Sequence, residues 1–61
     1  MKLGDIPFNG LYHVYAKGND GEYHRLFTGI SPEDIPTEHA KDEVTMVFPY
    51  CDSIIVHVKE A

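Results

Sequence analysis

Cysteine is nearly absent: Cys51 is the only one, so no internal disulfide can form, and no Cys/His pair falls at a metal-finger spacing. A 61-residue chain makes one domain and buries only about 60% of its unfolded surface. With both usual staples missing, a homodimer is the expected source of extra stability. Cations are scarce as well, five Lys and Arg against ten Asp and Glu for a formal net charge of -5. A surface of that sign repels phosphate and attracts basic proteins, which disfavours direct nucleic-acid binding and favours a protein partner that itself binds nucleic acid. No apolar run reaches signal-peptide length or the ~20 residues of a membrane span, so a soluble, cytoplasmic protein with no membrane partner is expected. Internal repeats, low-complexity tracts and linkers are missing too.

What is present is dominated by strand patterns. Leu11 to Lys17 and Glu22 to Thr28 alternate around Gly18-Asn19-Asp20-Gly21, and an Asp-Gly between aromatic and β-branched runs is a strong hairpin signal. A loop of two or four residues pairs odd positions with even ones. That places Tyr12, Val14, Ala16, Tyr23, Arg25 and Phe27 on one face, and His13, Tyr15, Lys17, His24, Leu26 and Thr28 on the other. Val44 to Phe48 and Ser53 to Lys59 read as a second hairpin by β-branched content, joined by Pro49-Tyr50-Cys51-Asp52. Strict alternation groups Val44, Met46 and Phe48, leaving Val47 and Ile55 apolar on the opposite faces. Those two point to a second buried surface. Residues 1–9 are too broken by Gly4, Pro7 and Asn9 for a strand and read as an arm whose Phe8 packs on the sheet.

Between the hairpins lies an acidic connector, residues 29–43. Ser31-Pro32-Glu33-Asp34 combines a capping side chain, proline at the first helical position and acids in the first turn, which together predict a helix start. Pro36 limits that piece to a single turn and predicts a kink or a restart at Thr37, with the second piece running Glu38 to Glu43. The expected fold class is therefore α+β: two antiparallel β-hairpins (10–28 and 44–61) joined by a short acidic helical connector, packed as a small dimeric domain.

No residue set has the form of an active site. The paired acids Glu33-Asp34 and Asp42-Glu43 lack a chain long enough to build the apolar pocket that raises a carboxylate pKa. Gly18-Asn19-Asp20-Gly21 is turn chemistry and not a phosphate cradle. His13 and His24 share a face of the first hairpin, but His39, Cys51 and His57 are dispersed, so no metal and no cofactor is expected. Cys51, with Asp52 beside it and no general base, reads as a turn thiol packed under its hairpin. The remaining candidates are the carboxylates of the connector. They either keep a small protein soluble or present negative charge at intervals that a phosphate-binding groove accepts.

Three stretches resemble the small uracil-DNA glycosylase inhibitors carried by Bacillus phages. They are Asn19-Asp20-Gly21 followed by Glu22-Tyr23-His24, Gly29-Ile30-Ser31-Pro32-Glu33-Asp34-Ile35, and Asp52-Ser53-Ile54-Ile55. That family has a similar Gly-apolar-Ser-x-x-Asp-aromatic helix start and a similar acid-x-Ile-Ile last strand, so the similarity spans roughly 40 residues. It implies a homodimeric, DNA-mimicking inhibitor in which carboxylates stand where phosphates lie and a hydrophobic pocket traps an apolar residue of the enzyme's minor-groove loop. Carried over, Ser31 caps the helix, Asp34 is the matching acid, Ile35 stands at the aromatic's position and His39 falls where the family has a tyrosine. The chain departs from the family at Ile35, at Pro36, and over the longer stretch Lys41 to Cys51. The partner-binding residues implied are Glu33, Asp34, Ile35, Glu38, His39, Asp42 and Glu43. The alternatives are an inhibitor of another nuclease complex or an assembly module that pairs through an exposed strand edge.

Overall fold

A computed structural model describes residues 1–59; the last two residues of the expected second hairpin lie outside them. Four strands, β1 (Tyr12–Lys17), β2 (Tyr23–Gly29), β3 (Glu43–Tyr50) and β4 (Ser53–Lys59), form one sheet in the order β2-β1-β4-β3. Both hairpins form, but with other turns than expected: the first loop has five residues, and Pro49 and Tyr50 belong to β3, which leaves Cys51 and Asp52 as the second turn. The hairpins meet through their inner strands, β1 running parallel to β4 with Tyr12 beside Ile54 and Ala16 beside Val58. A parallel contact demands a long crossover, and residues 30–42 supply it. They run diagonally across one face of the sheet, from the end of β2 on one edge to the start of β3 on the other.

The N-terminal arm lies alongside this crossover, held by backbone hydrogen bonds from Leu3 N–H to the Asp42 carbonyl (2.9 Å), Gly4 N–H to Ala40 (2.9 Å) and Gly10 N–H to Ile30 (3.2 Å). Arm and crossover together roof the core. Leu3, Phe8, Tyr12, Val14, Ala16, Val56 and Val58 are buried there, with Ile6, Ile35 and Val44 packed against them. Phe8 stacks on Tyr12 at 3.8 Å between ring centroids, as the arm's sequence led one to expect.

The connector contains no α-helix. It makes two isolated 3-10 turns, Pro32–Asp34 and Thr37–His39, so the molecule is mostly β and the expected helical connector is corrected. Ile35 between them is extended (φ -74, ψ 118), the conformation that a following proline imposes, and Pro36 has no N–H to continue the first turn. Thr37 lies inside the second turn instead of capping it, and Glu43 has already entered β3.

The face assignments also need correcting, for one shared reason. The first loop spans five residues, with Lys17 opposite Tyr23 and Gly21 alone at positive φ (82°). Odd therefore pairs with odd near the turn, and a β-bulge opposite Val14/Tyr15 restores the other parity beyond it. Tyr23 and Arg25 consequently join Tyr15 and Lys17 on the side away from the core, whereas Phe27 stays inside. A second bulge, at Thr45 on β3, places Met46 opposite His57 and Phe48 opposite Ile55, while Val47 moves to Val56's side. Bulges favour edge strands and flip the side chains that follow. Here both edges carry one.

Gly29, buried at the end of β2, makes room for Tyr12. A Cβ there would lie 2.5 Å from the Tyr12 hydroxyl and 2.8 Å from the Asp34 Cβ. With the Tyr12 ring held between Phe8 and Phe27, there is little freedom to yield. Gly29→Ala is expected to cost about 1–3 kcal/mol of stability, read as a lower urea midpoint with an unchanged slope; an unaltered midpoint would show that the tyrosine can move.

Candidate functional site

The two sides of the sheet differ in chemistry. On the roofed side, Glu33, Asp34 and Glu38 are exposed along the connector and Asp5 on the arm. Among the residues the sequence singled out, Glu33 and Glu38 project freely. Asp34 bends back on its own chain, its Oδ2 accepting from Ile30 N–H (2.9 Å) and Ser31 N–H (3.1 Å). Those two bonds, Ile30's the stronger, hold its carboxyl below the usual carboxylate range. Ile35 is half-buried against the core. Glu43, at the start of β3, lies 3.7 Å from the N-terminal ammonium.

Asp42 sits elsewhere than a phosphate mimic would. It is only 2% exposed, and its Oδ2 is 2.8 Å from His39 Nδ1, whose ring stacks near Phe27. The pair ties the connector's second turn to the core. The structure thus places Glu33, Glu38 and the outer oxygen of Asp34 on one surface, and draws His39 and Asp42 inward.

Asp34's lowered pKa has a direction for stability. A carboxylate bound more tightly in the folded state stabilises it above the unfolded value of 3.8, and that contribution fades as pH falls below it. The urea midpoint of the wild-type chain is expected to drop between neutral pH and about pH 3, and Asp34→Ala should show a smaller drop over the same range. An identical drop in the variant would assign the acid sensitivity to other groups, such as Asp20, whose carboxyl the Glu22 N–H lowers in the same way.

The other side of the sheet carries no roof. Tyr15, Tyr23, Phe48, Tyr50, Ile55 and His57 line a shallow cleft of about 360 Å³. His57 is its centre: Tyr23 stacks on it at 4.1 Å, and Phe48 and Tyr15 meet it edge-on at 5.4 and 6.2 Å. Tyr23 and Tyr50 remain 46% and 62% exposed. Period-two reasoning missed this cluster because the two bulges deliver Tyr23 and Phe48 to it. An odd-length first loop is the signal that would have moved Tyr23.

Cys51 occupies the tip of the second hairpin at positive φ (55°) and is exposed instead of packed beneath the turn. His13 bonds Thr28 Oγ1 (2.8 Å) and His24 bonds Asp20 (3.1 Å), so the two do not converge. Among the described residues no group of three His, Cys, Asp or Glu side chains could hold a metal ion, and no helix is long and apolar enough to cross a membrane. No protein-family model matches the chain, and neither a curated protein nor a solved structure matches it.

Proposed function

We propose that the protein is a non-catalytic inhibitor that occupies the basic DNA-binding groove of a DNA-processing enzyme, with uracil-DNA glycosylase as the target that the motif resemblance names. The observation that carries this reading is the set of carboxylates on the connector, Glu33, Asp34 and Glu38. They stand on a backbone anchored by the arm and by the Asp34 and His39–Asp42 bonds. Charges held in place lose less entropy on docking and steer encounter with a cationic cleft. Ile35, half-buried beside them, is the apolar contact for the enzyme's protruding loop residue.

A uracil-excision assay with a several-fold molar excess of the protein is expected to show near-complete loss of cleavage. Combining Glu33→Gln, Glu38→Gln and Glu43→Gln is expected to weaken inhibition by at least about tenfold at low salt and to leave the remaining inhibition less sensitive to salt than that of the wild type. Undiminished excision at that excess removes the named target.

A second reading, a strand-pairing assembly module, is favoured by β3, an edge strand whose Met46, Val47 and Tyr50 are 54%, 50% and 62% exposed. Such pairing rests on backbone hydrogen bonds and apolar contacts, so its affinity should barely respond to salt.

A further inference from the structure

We propose that the open face of the sheet is a stacking platform for single-stranded nucleic acid, holding about two or three bases on the rings around His57 with their phosphates over Lys17, Lys59 and Arg25. This face lies opposite the connector, and the proposal stands or falls separately from the inhibitor reading.

The rings come first. Tyr23 and Tyr50 line the aromatic cleft with 46% and 62% of their surface exposed, and a flat ring on an open sheet accepts any unpaired base. The cations are the second observation. Lys17 and Lys59 follow Ala16 and Val58 on the two parallel central strands, which sets them side by side on this face. They line a second cleft of about 380 Å³, and Tyr23 lines both this cleft and the aromatic one. Arg25 stands opposite Tyr15 in the register. All three are exposed, and among the described residues none forms an ion pair. Glu43, opposite Lys59 in the register, has its carboxylate 3.7 Å from the N-terminal ammonium.

The exposed connector acids Glu33, Asp34 and Glu38 lie across the sheet from these cations, and of the acids on β3 Glu43 shares the face of Lys59 across the register. The molecule's thinnest dimension is 17 Å, about two Debye lengths at physiological salt, so a phosphate on the sheet face is largely screened from the connector's acids. Charge also selects the occupant. An apolar protein surface would take out of water three cations that have no ion-pair partner among the described residues, without compensation, whereas a nucleic-acid strand engages cations and rings together. Bases stacked inside a duplex cannot lie on the rings, so the strand must be single.

Fluorescence anisotropy with a short dye-labelled oligothymidylate tests this. Binding in the range of tens of micromolar or tighter at low salt is expected, with a duplex of the same length binding more weakly. Tyr23→Ala and Tyr50→Ala should each weaken binding about 5- to 100-fold. Lys17→Gln with Lys59→Gln should change the slope of log affinity against log salt from about -2 to about -0.7. Circular dichroism confirms that each variant is folded; should Tyr23→Ala unfold, Tyr50→Ala and the lysine pair carry the test. No anisotropy change at about 100 μM protein overturns the proposal, as does binding indifferent to these substitutions. A dimer that Tyr50→Ala dissolves, in a protein that ignores the oligonucleotide, would assign the face to a second copy and likewise overturn it.

Discussion

Replacing Tyr12 with alanine is expected to leave most of the chain unfolded at room temperature, seen as loss of the β-sheet circular dichroism signal. Tyr12 is fully buried on β1, stacked on Phe8 at 3.8 Å and edge-on to Phe27 at 6.3 Å. Its hydroxyl donates to the Ser31 carbonyl at 2.7 Å, so one side chain joins arm, sheet and connector. Truncating a buried aromatic costs about 3–5 kcal/mol, comparable with the whole stability that so small a core supplies. Tyr12→Phe keeps the ring and loses the hydrogen bond, for which about 1–2 kcal/mol is expected.

The two tyrosine variants also separate in alkali. Burial, and then the negative charge of Asp34, raises the Tyr12 phenol above its ordinary 10.0. The folded state therefore holds this proton after the unfolded chain has released it. The resulting stability is fully present below pH 10 and is lost as pH climbs toward the folded value. Tyr12→Phe should unfold at neutral pH more readily than wild type yet lose less of its stability above pH 10. An equal alkaline loss in both proteins would remove Tyr12 as the cause.

The second large effect is expected at Asp42. Asp42→Ala leaves His39 Nδ1 without its 2.8 Å acceptor and opens space where the carboxylate was 2% exposed. Removing one partner of a fully buried pair costs about 3–5 kcal/mol. Because the His39 side chain keeps 20% of its surface, a smaller cost of about 2–3 kcal/mol is expected, or on the order of 10 °C in melting temperature. Asp42→Asn retains an acceptor oxygen and should cost less. This variant also separates two roles that the acidic sequence run confounds. An Asp42 that only braces the connector lowers the melting temperature while folded Asp42→Asn inhibits normally; an Asp42 that meets a partner directly weakens inhibition at unchanged stability.

Much of this architecture was legible in the residues. Asp20-Gly21 and the β-branched runs announced two hairpins, Phe8 announced an arm docked on the sheet, and Pro36 announced a break in the connector. The helix expectation failed because Ser31, Pro32 and Asp34 are equally good openers of a single 3-10 turn. Nothing after Pro36 could propagate that turn before the chain had to reach β3. Among the candidate site residues, Glu33 and Glu38 face solvent as an acidic run would. Nothing in Asp42-Glu43 announces that the first acid is buried against His39 and the second exposed, since that depends on the arm's Leu3 pairing with the Asp42 carbonyl.

By itself, then, the chain's order of residues determined the four strands, the places where they turn and the acidity of the segment between the hairpins, but not the lengths of the turns, because turn residues and β-branched content act over a few neighbouring positions. Tertiary structure alone decided that β1 and β4 run parallel, that arm and connector roof one face, and that bulges on both edge strands carry Tyr23 and Phe48 to the other. A single extra residue in a strand reverses every side chain beyond it, and the alternation of neighbouring residues does not say where that extra residue sits.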